Sequence, residues 1–132
     1  RYTVGTVLWM TGPATIADHV APVIAAAAKE AGRPAPRVIA GFPVVLTDDV
    51  EGARARVDEI LQIYGQLPSY RAMMDREGAA NPSDIALIGN AAALDARIDR
   101  IAASGATELI AVLLETDPGA KARTMDYLQG KL

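Results

Sequence analysis

The stretch Arg37-Val38-Ile39-Ala40-Gly41-Phe42-Pro43-Val44-Val45-Leu46 decides the fold. Its apolar residues follow one another without polar alternation, so a strand built from it needs cover on both faces. Such a strand belongs to a parallel sheet packed under helices. Thr6–Met10 and Glu108–Leu114 have the same continuous, β-branched character. Each of these segments is followed by turn or capping residues and then by a helical pattern.

After the first segment, Thr11-Gly12-Pro13 turns the chain, and Thr15-Ile16-Ala17-Asp18 reads as a capping box. Ile16, Val20, Val23 and Ile24 then fall at helical spacing until Gly32 and Pro34, while Pro22 predicts a kink or a restart. The second segment ends in Thr47-Asp48-Asp49, carboxylates suited to a helix start. Val50, Ala53, Val57, Ile60, Leu61 and Tyr64 form the apolar face of the helix that follows. Beyond the break at Gly65 to Pro68, a short helix over 69–77 closes at Gly78, and Asn81-Pro82-Ser83 makes a turn. Gly89-Asn90 opens a helix with Leu94, Ile98 and Ile101 on one face and Gly105 at its end. Asp117-Pro118 starts the terminal helix.

The order is β-α-β-α-α-α-β-α, which calls for right-handed crossovers and a parallel sheet. Three strands would leave two apolar edges unpaired. The missing strands of a closed barrel would cover them, and so would a partner chain. The strand-like run from Tyr2 to Met10 begins almost at Arg1, which leads us to expect residues upstream and a chain that is one partial domain over 1–132.

With 132 residues the chain has room for one domain. It is 51% hydrophobic and 22% charged, with a net charge of −3 and both signs interspersed. No basic stripe is present to displace counterions from nucleic acid. The absence of cysteine excludes disulfides, thiolate metal sites and cysteine nucleophiles. No apolar run approaches the roughly 20 residues of a membrane helix. A signal-peptide pattern is also missing, so the expected compartment is the cytoplasm.

Four stretches carry a resemblance to a known family: Gly5-Thr6-Val7-Leu8-Trp9-Met10-Thr11-Gly12-Pro13, the segment from Val45 to Arg54, the segment from Ile63 to Gly78, and the helix and strand after Gly89. In this order they resemble the luciferase-like monooxygenase superfamily, and Ile63 to Gly78 resembles in particular the branch that uses the deazaflavin coenzyme F420. The resemblance implies an α/β fold, the C-terminal three β/α units (strands six to eight) of a TIM (β/α)8 barrel, with a helical insertion. It implies, for the intact barrel, an oxidoreductase that transfers a hydride between F420 and a small organic substrate. The alternatives are an FMN-dependent monooxygenase, or a non-catalytic α/β module that dimerises through its sheet edges. The partner expected is either a second copy or the N-terminal half of the barrel. The earlier strands hold much of the cofactor ring in that family, so the fragment alone is expected to be inactive.

In such a barrel the working face lies at the carboxyl ends of the strands. Trp9, Met10, Thr11, Gly12 and Pro13 fall there: the indole can wall a pocket or stack on a planar ring, or it can be a core residue before an ordinary turn. Gly89 and Asn90 fall at a helix start that can hold a cofactor phosphate or carboxylate, or can be a plain cap. Tyr64, Gln66, Tyr70 and Arg71 lie in the insertion. Arg71 can pair with an anionic group, and the alternative for all four is surface packing. His19 is the single histidine and lacks partners for a ligand or base role. Asp48 and Asp49 read as helix-capping residues, and Asp84, Glu108 and Glu115 receive no role. No metal site is expected, and the catalytic residues are not identified. Hydride transfer itself needs neither metal nor protein nucleophile.

Overall fold

A computed structural model describes residues 3–132, so the expectations for Arg1 and Tyr2 lie outside the described residues. Its strands are β1 (Gly5–Trp9), β2 (Arg37–Leu46), β3 (Leu87–Gly89) and β4 (Glu108–Leu113), all parallel. The ten-residue β2 is the centre of the sheet. β4 pairs with Ile39–Val44 of β2 along one edge. On the other edge β1 pairs with Arg37–Gly41, and β3 takes over at Val44–Leu46. β1 therefore ends halfway up β2, where the Met10 N–H bonds the Gly41 carbonyl at 2.9 Å.

The sequence predicts three strands, and β3 is the correction. At three residues it is too short to show a periodicity, and pairing with β2 specifies it.

Helices α1 (Pro13–Thr15) and α2 (Ala21–Glu30) are joined by a π-helical stretch, Ile16–Val20. Pro22 sits in the first turn of α2, so the proline restarts the helix, as its missing N–H allows. The capping box expected at Thr15 is absent. The N-cap is Gly12, and the Thr15 hydroxyl donates instead to Glu77 at 2.8 Å.

After β2 come α3 (Val50–Ile60), α4 (Gln62–Gln66), α5 (Pro68–Glu77) and α6 (Pro82–Ile85). Asp49 caps α3 by accepting the Gly52 N–H at 3.0 Å. The turn expected at Asn81-Pro82-Ser83 is the capped start of α6. α7 (Ala91–Ala103) carries the chain to β4, and α8 (Ala120–Gln129) ends it. α8 starts later than Asp117-Pro118, because Glu115 holds the intervening turn by accepting the N–H groups of Gly119 (2.8 Å) and Lys121 (2.9 Å).

The two sheet faces differ. One carries Val38, Ala40, Phe42 and Val44, all buried, with Leu109 and Ala111 beside them in register. α7 and α8 pack over this sheet. Thr124 pins α8 to it: its buried hydroxyl accepts the Leu46 N–H at 2.9 Å and donates to the Ala120 carbonyl at 2.7 Å. The opposite face carries Val7, Ile39, Trp9, Ile110 and Val112, and there Val7 is 66% and Ile110 45% exposed. It also carries the paired Arg37 and Glu108, and it is open only in part: Pro43 and Val45 are buried and Tyr64 of α4 lies against Trp9.

Candidate functional site

The strands are parallel, so their carboxyl ends lie at one end of the sheet, and two features occur there. The first is a cluster of rings. Trp9 points to the partly open face and lies over Gly41, where a Cβ would come within 3.1 Å of the indole. Tyr64, on α4, meets the indole edge-to-face with centroids 6.2 Å apart. Tyr70, on α5, meets Tyr64 in the same manner at 4.7 Å. Three predicted residues from two separated stretches thus form one half-buried aromatic wall, in the geometry that ring quadrupoles favour.

The loop leaving β1 is held from below. Met10 is 1% exposed and has φ 53°, a left-handed conformation that a non-glycine residue adopts at a cost of about 1–3 kcal/mol. Thr11 is buried and its hydroxyl contacts the Met73 sulfur at 3.3 Å. Gly12 presses against the Glu77 carboxylate so closely that any Cβ would overlap it. That carboxylate caps α1 from a distance in sequence, accepting the N–H groups of Ala14 (2.8 Å) and Thr15 (2.9 Å). Sequence reasoning missed Glu77, because its partners lie 62 and 63 residues away. Gly12 and Pro13 line a cavity on the helix-covered side rather than the ring cluster.

The second feature is a hollow of about 530 Å³ at the ends of β2 and β3, lined by Leu46, Thr47, Asp48, Asn90, Ala91 and Arg123. Asn90 caps α7 by accepting the Ala93 N–H at 3.0 Å. The first amides of α7, Ala91 and Ala92, have no intrahelical partner, as at any helix start. Gly89 is specified twice over: its φ is 150°, and a Cβ would approach the Ala93 methyl to 2.8 Å. Arg123 is held at the rim by both Asp117 carboxylate oxygens, at 2.8 and 2.9 Å.

The remaining insertion residues are engaged otherwise. The Arg71 guanidinium binds Asp75 at 2.8 Å and the carbonyls of Ala79 and Ala80, tying down the turn after α5. Gln66 and His19 are exposed. Asp84 pairs with Arg54, and that guanidinium, followed by the Asn81 N–H, holds its carboxyl below the usual range. Glu108 pairs with Arg37, and Glu115 is lowered by the Lys121 and Gly119 amides. Among the described residues no group of three or more potential ligands can hold a metal, and no helix is long and apolar enough to cross a membrane.

Neither a protein-family model nor a curated protein sequence matches the chain. Solved structures do match, among them an F420-dependent secondary alcohol dehydrogenase in complex with an F420–acetone adduct. It is 13% identical with a TM-score of 0.74, over 99% of this chain and 42% of that one. The likeness shows the fold: parallel sheet and helices arranged as in a TIM-barrel-family enzyme. This chain spans less than half the length of that protein.

Proposed function

We propose that β1, β2 and β4 of this chain are strands six, seven and eight of a (β/α)8 barrel oxidoreductase that moves a hydride between coenzyme F420 and a small organic substrate, the short β3 being an addition beside β2. The observation that carries the reading is the ring wall Trp9–Tyr64–Tyr70 standing at the carboxyl end of β1, beside the exposed apolar residues Val7 and Ile110. A barrel interior places its site at that end. The likeness to an F420-dependent enzyme supports the cofactor.

The residues fit such a cofactor in two respects. The indole and phenol rings offer planar, apolar contact to a deazaflavin ring system and exclude water from it. The hollow at Gly89 and Asn90, with the free amides of Ala91 and Ala92 and the Arg123 guanidinium on its rim, suits the anionic tail. F420 supplies the hydride chemistry when bound. The protein's part is to hold the ring plane against the substrate, with the buried Met10 and Thr11 fixing the loop that carries Trp9, while Gly12 and Pro13 face the cavity on the other side of the sheet. Arg71 would act by fixing the turn at Ala79 and Ala80.

The test is equilibrium titration of the intact protein with F420 and, separately, with FMN. Saturable F420 binding, with reduction of the cofactor by a secondary alcohol or a related donor, is expected. Tight FMN binding without F420 binding would overturn the cofactor assignment and favour the monooxygenase alternative.

A second reading follows from the same partly open face and the outer edges of β1 and β4, which pair with nothing among the described residues. A second copy of the chain could cover them, making a non-catalytic dimeric module. Sedimentation of the 132-residue chain separates the two. The barrel reading expects the isolated chain to bind apolar dyes and to associate without fixed stoichiometry. A folded dimer of defined mass would favour the module.

A further inference from the structure

A cavity of about 410 Å³ lies on the helix-covered side of the sheet, away from the ring wall. Phe42 and Leu87 form its floor; both point opposite to Trp9, because Phe42 follows Gly41, the register partner of Trp9, and Leu87 pairs with Val44. Ile85 and Ile101 continue the apolar surface. Four charged side chains face it: Glu77, Asp84, Arg97 and Arg100.

The two carboxylates are already used. Glu77 caps α1 through both oxygens. Asp84 accepts from Arg54 and from the N–H groups of Ala80 (3.0 Å) and Asn81 (2.9 Å). The two guanidiniums are not. Arg97 is half-buried and donates only to the Ala86 carbonyl. No carboxylate among the described residues forms an ion pair with Arg97 or Arg100. Burial pushes the Arg97 pKa down, and the charges of Arg54 and Arg100 push it further, against a smaller opposing pull from Asp84. Such a group is a positive charge short of a counterion, held over an apolar floor.

We infer that this cavity binds a small organic anion, a carboxylate on a compact apolar body, with Arg97 and Arg100 holding the carboxylate and Phe42 and Leu87 the body. A planar guanidinium presents paired N–H groups that match a carboxylate. The volume lies within the range of small-molecule sites. The site is independent of the oxidoreductase reading, since it lies on the other side of the sheet.

The experiment titrates the protein with benzoate, and with benzamide as the neutral isostere, following backbone amide shifts in two-dimensional NMR. Benzoate is expected to move Gly78, Ala79 and Ala80, which line the rim, in a saturable manner, and benzamide is not. Arg100→Gln should weaken benzoate binding about tenfold, the loss of one charge-assisted bond. This variant should keep the fold, because the exposed Arg100 side chain has no protein partner. Arg97→Lys keeps the charge but loses the fork, and should weaken binding to an intermediate extent. Absence of saturable shifts, equal shifts with benzamide, or unchanged benzoate affinity in Arg100→Gln overturns the proposal.

Discussion

Replacing Asp84 by Asn tests how the wall between α3 and α6 is held. Asp84 and Arg54 are each 29% exposed at the side chain, so solvent screens their attraction only in part. One carboxylate oxygen faces the Arg54 guanidinium, and the other accepts two backbone N–H groups at the start of α6. An asparagine has a single acceptor oxygen, so one of those two sets of donors would meet an NH2 group. Losing a hydrogen bond to a charged group, with the partner partly buried, costs about 2 kcal/mol. The pH dependence gives a sharper check. The Asp84 pKa is depressed in the folded state, chiefly by Arg54. The unfolded chain therefore binds the proton more readily, and stability rises with pH through this window. The contribution is complete above the unfolded carboxyl value of about 3.9 and disappears as pH falls through the lower folded value. Urea unfolding followed by circular dichroism should show the full gap between wild type and Asp84→Asn near neutrality. The gap should shrink progressively once the pH falls below about 4. An equal gap at both pH values, or none at neutrality, would refute the electrostatic account.

Three further outcomes follow from the candidate site. Gly12→Ala drives a methyl into the Glu77 carboxylate and loosens its cap on α1, which should cost about 1–2 kcal/mol in denaturant unfolding and speed proteolysis at the loop. Asn90→Ala removes the acceptor for the Ala93 N–H, an expected loss of about 1 kcal/mol read by thermal unfolding, with Asn90→Asp close to wild type. Tyr64→Leu breaks both edge-to-face contacts at the centre of the ring wall, each worth about 0.5–1.5 kcal/mol. Because Trp9 is the single tryptophan of the chain, its fluorescence should shift to the red in this variant as water reaches the indole.

What the sequence disclosed was largely what neighbouring residues decide. β2 was legible because Val38–Leu46, nine residues without a polar side chain, admit few other structures. The caps at Asp49 and Asn90, and the turn of Gly78, depend on contacts three or four residues long. The features it concealed depend on distant partners. β3 exists because Val44–Leu46 extend beyond the end of β1 and need a neighbour there. The Glu77 cap displaced the capping box expected at Thr15, because a carboxylate brought in by α5 accepts the Thr15 N–H and occupies its hydroxyl. The ring wall lay between these cases. Trp9, Tyr64 and Tyr70 each stood out as residues, but their meeting depends on β1 stopping halfway along β2, which leaves its loop level with the insertion.

The partly open face has an order along its length. At the amino-terminal end of the strands Arg37 and Glu108, both on this face by register, pair with each other. Val7 and Ile39 share the row of Glu108, Trp9 and Ile110 share the next row through Gly41, and Pro43, Val112 and Val45 continue the apolar surface to the carboxyl end of β2. If water covered this face in the working protein, the exposed Val7 and Ile110 would be a standing cost without compensation. If helices covered it, the residues beneath should resemble the buried set Val38, Ala40, Phe42 and Val44, with no ion pair inside the layer. Other strands facing it across a closed barrel suit both parts: a charged pair closing the bottom and packed apolar rows above it. A self-pairing dimer would bury the apolar rows as well, but it gives no reason for the polarity to change from one end to the other.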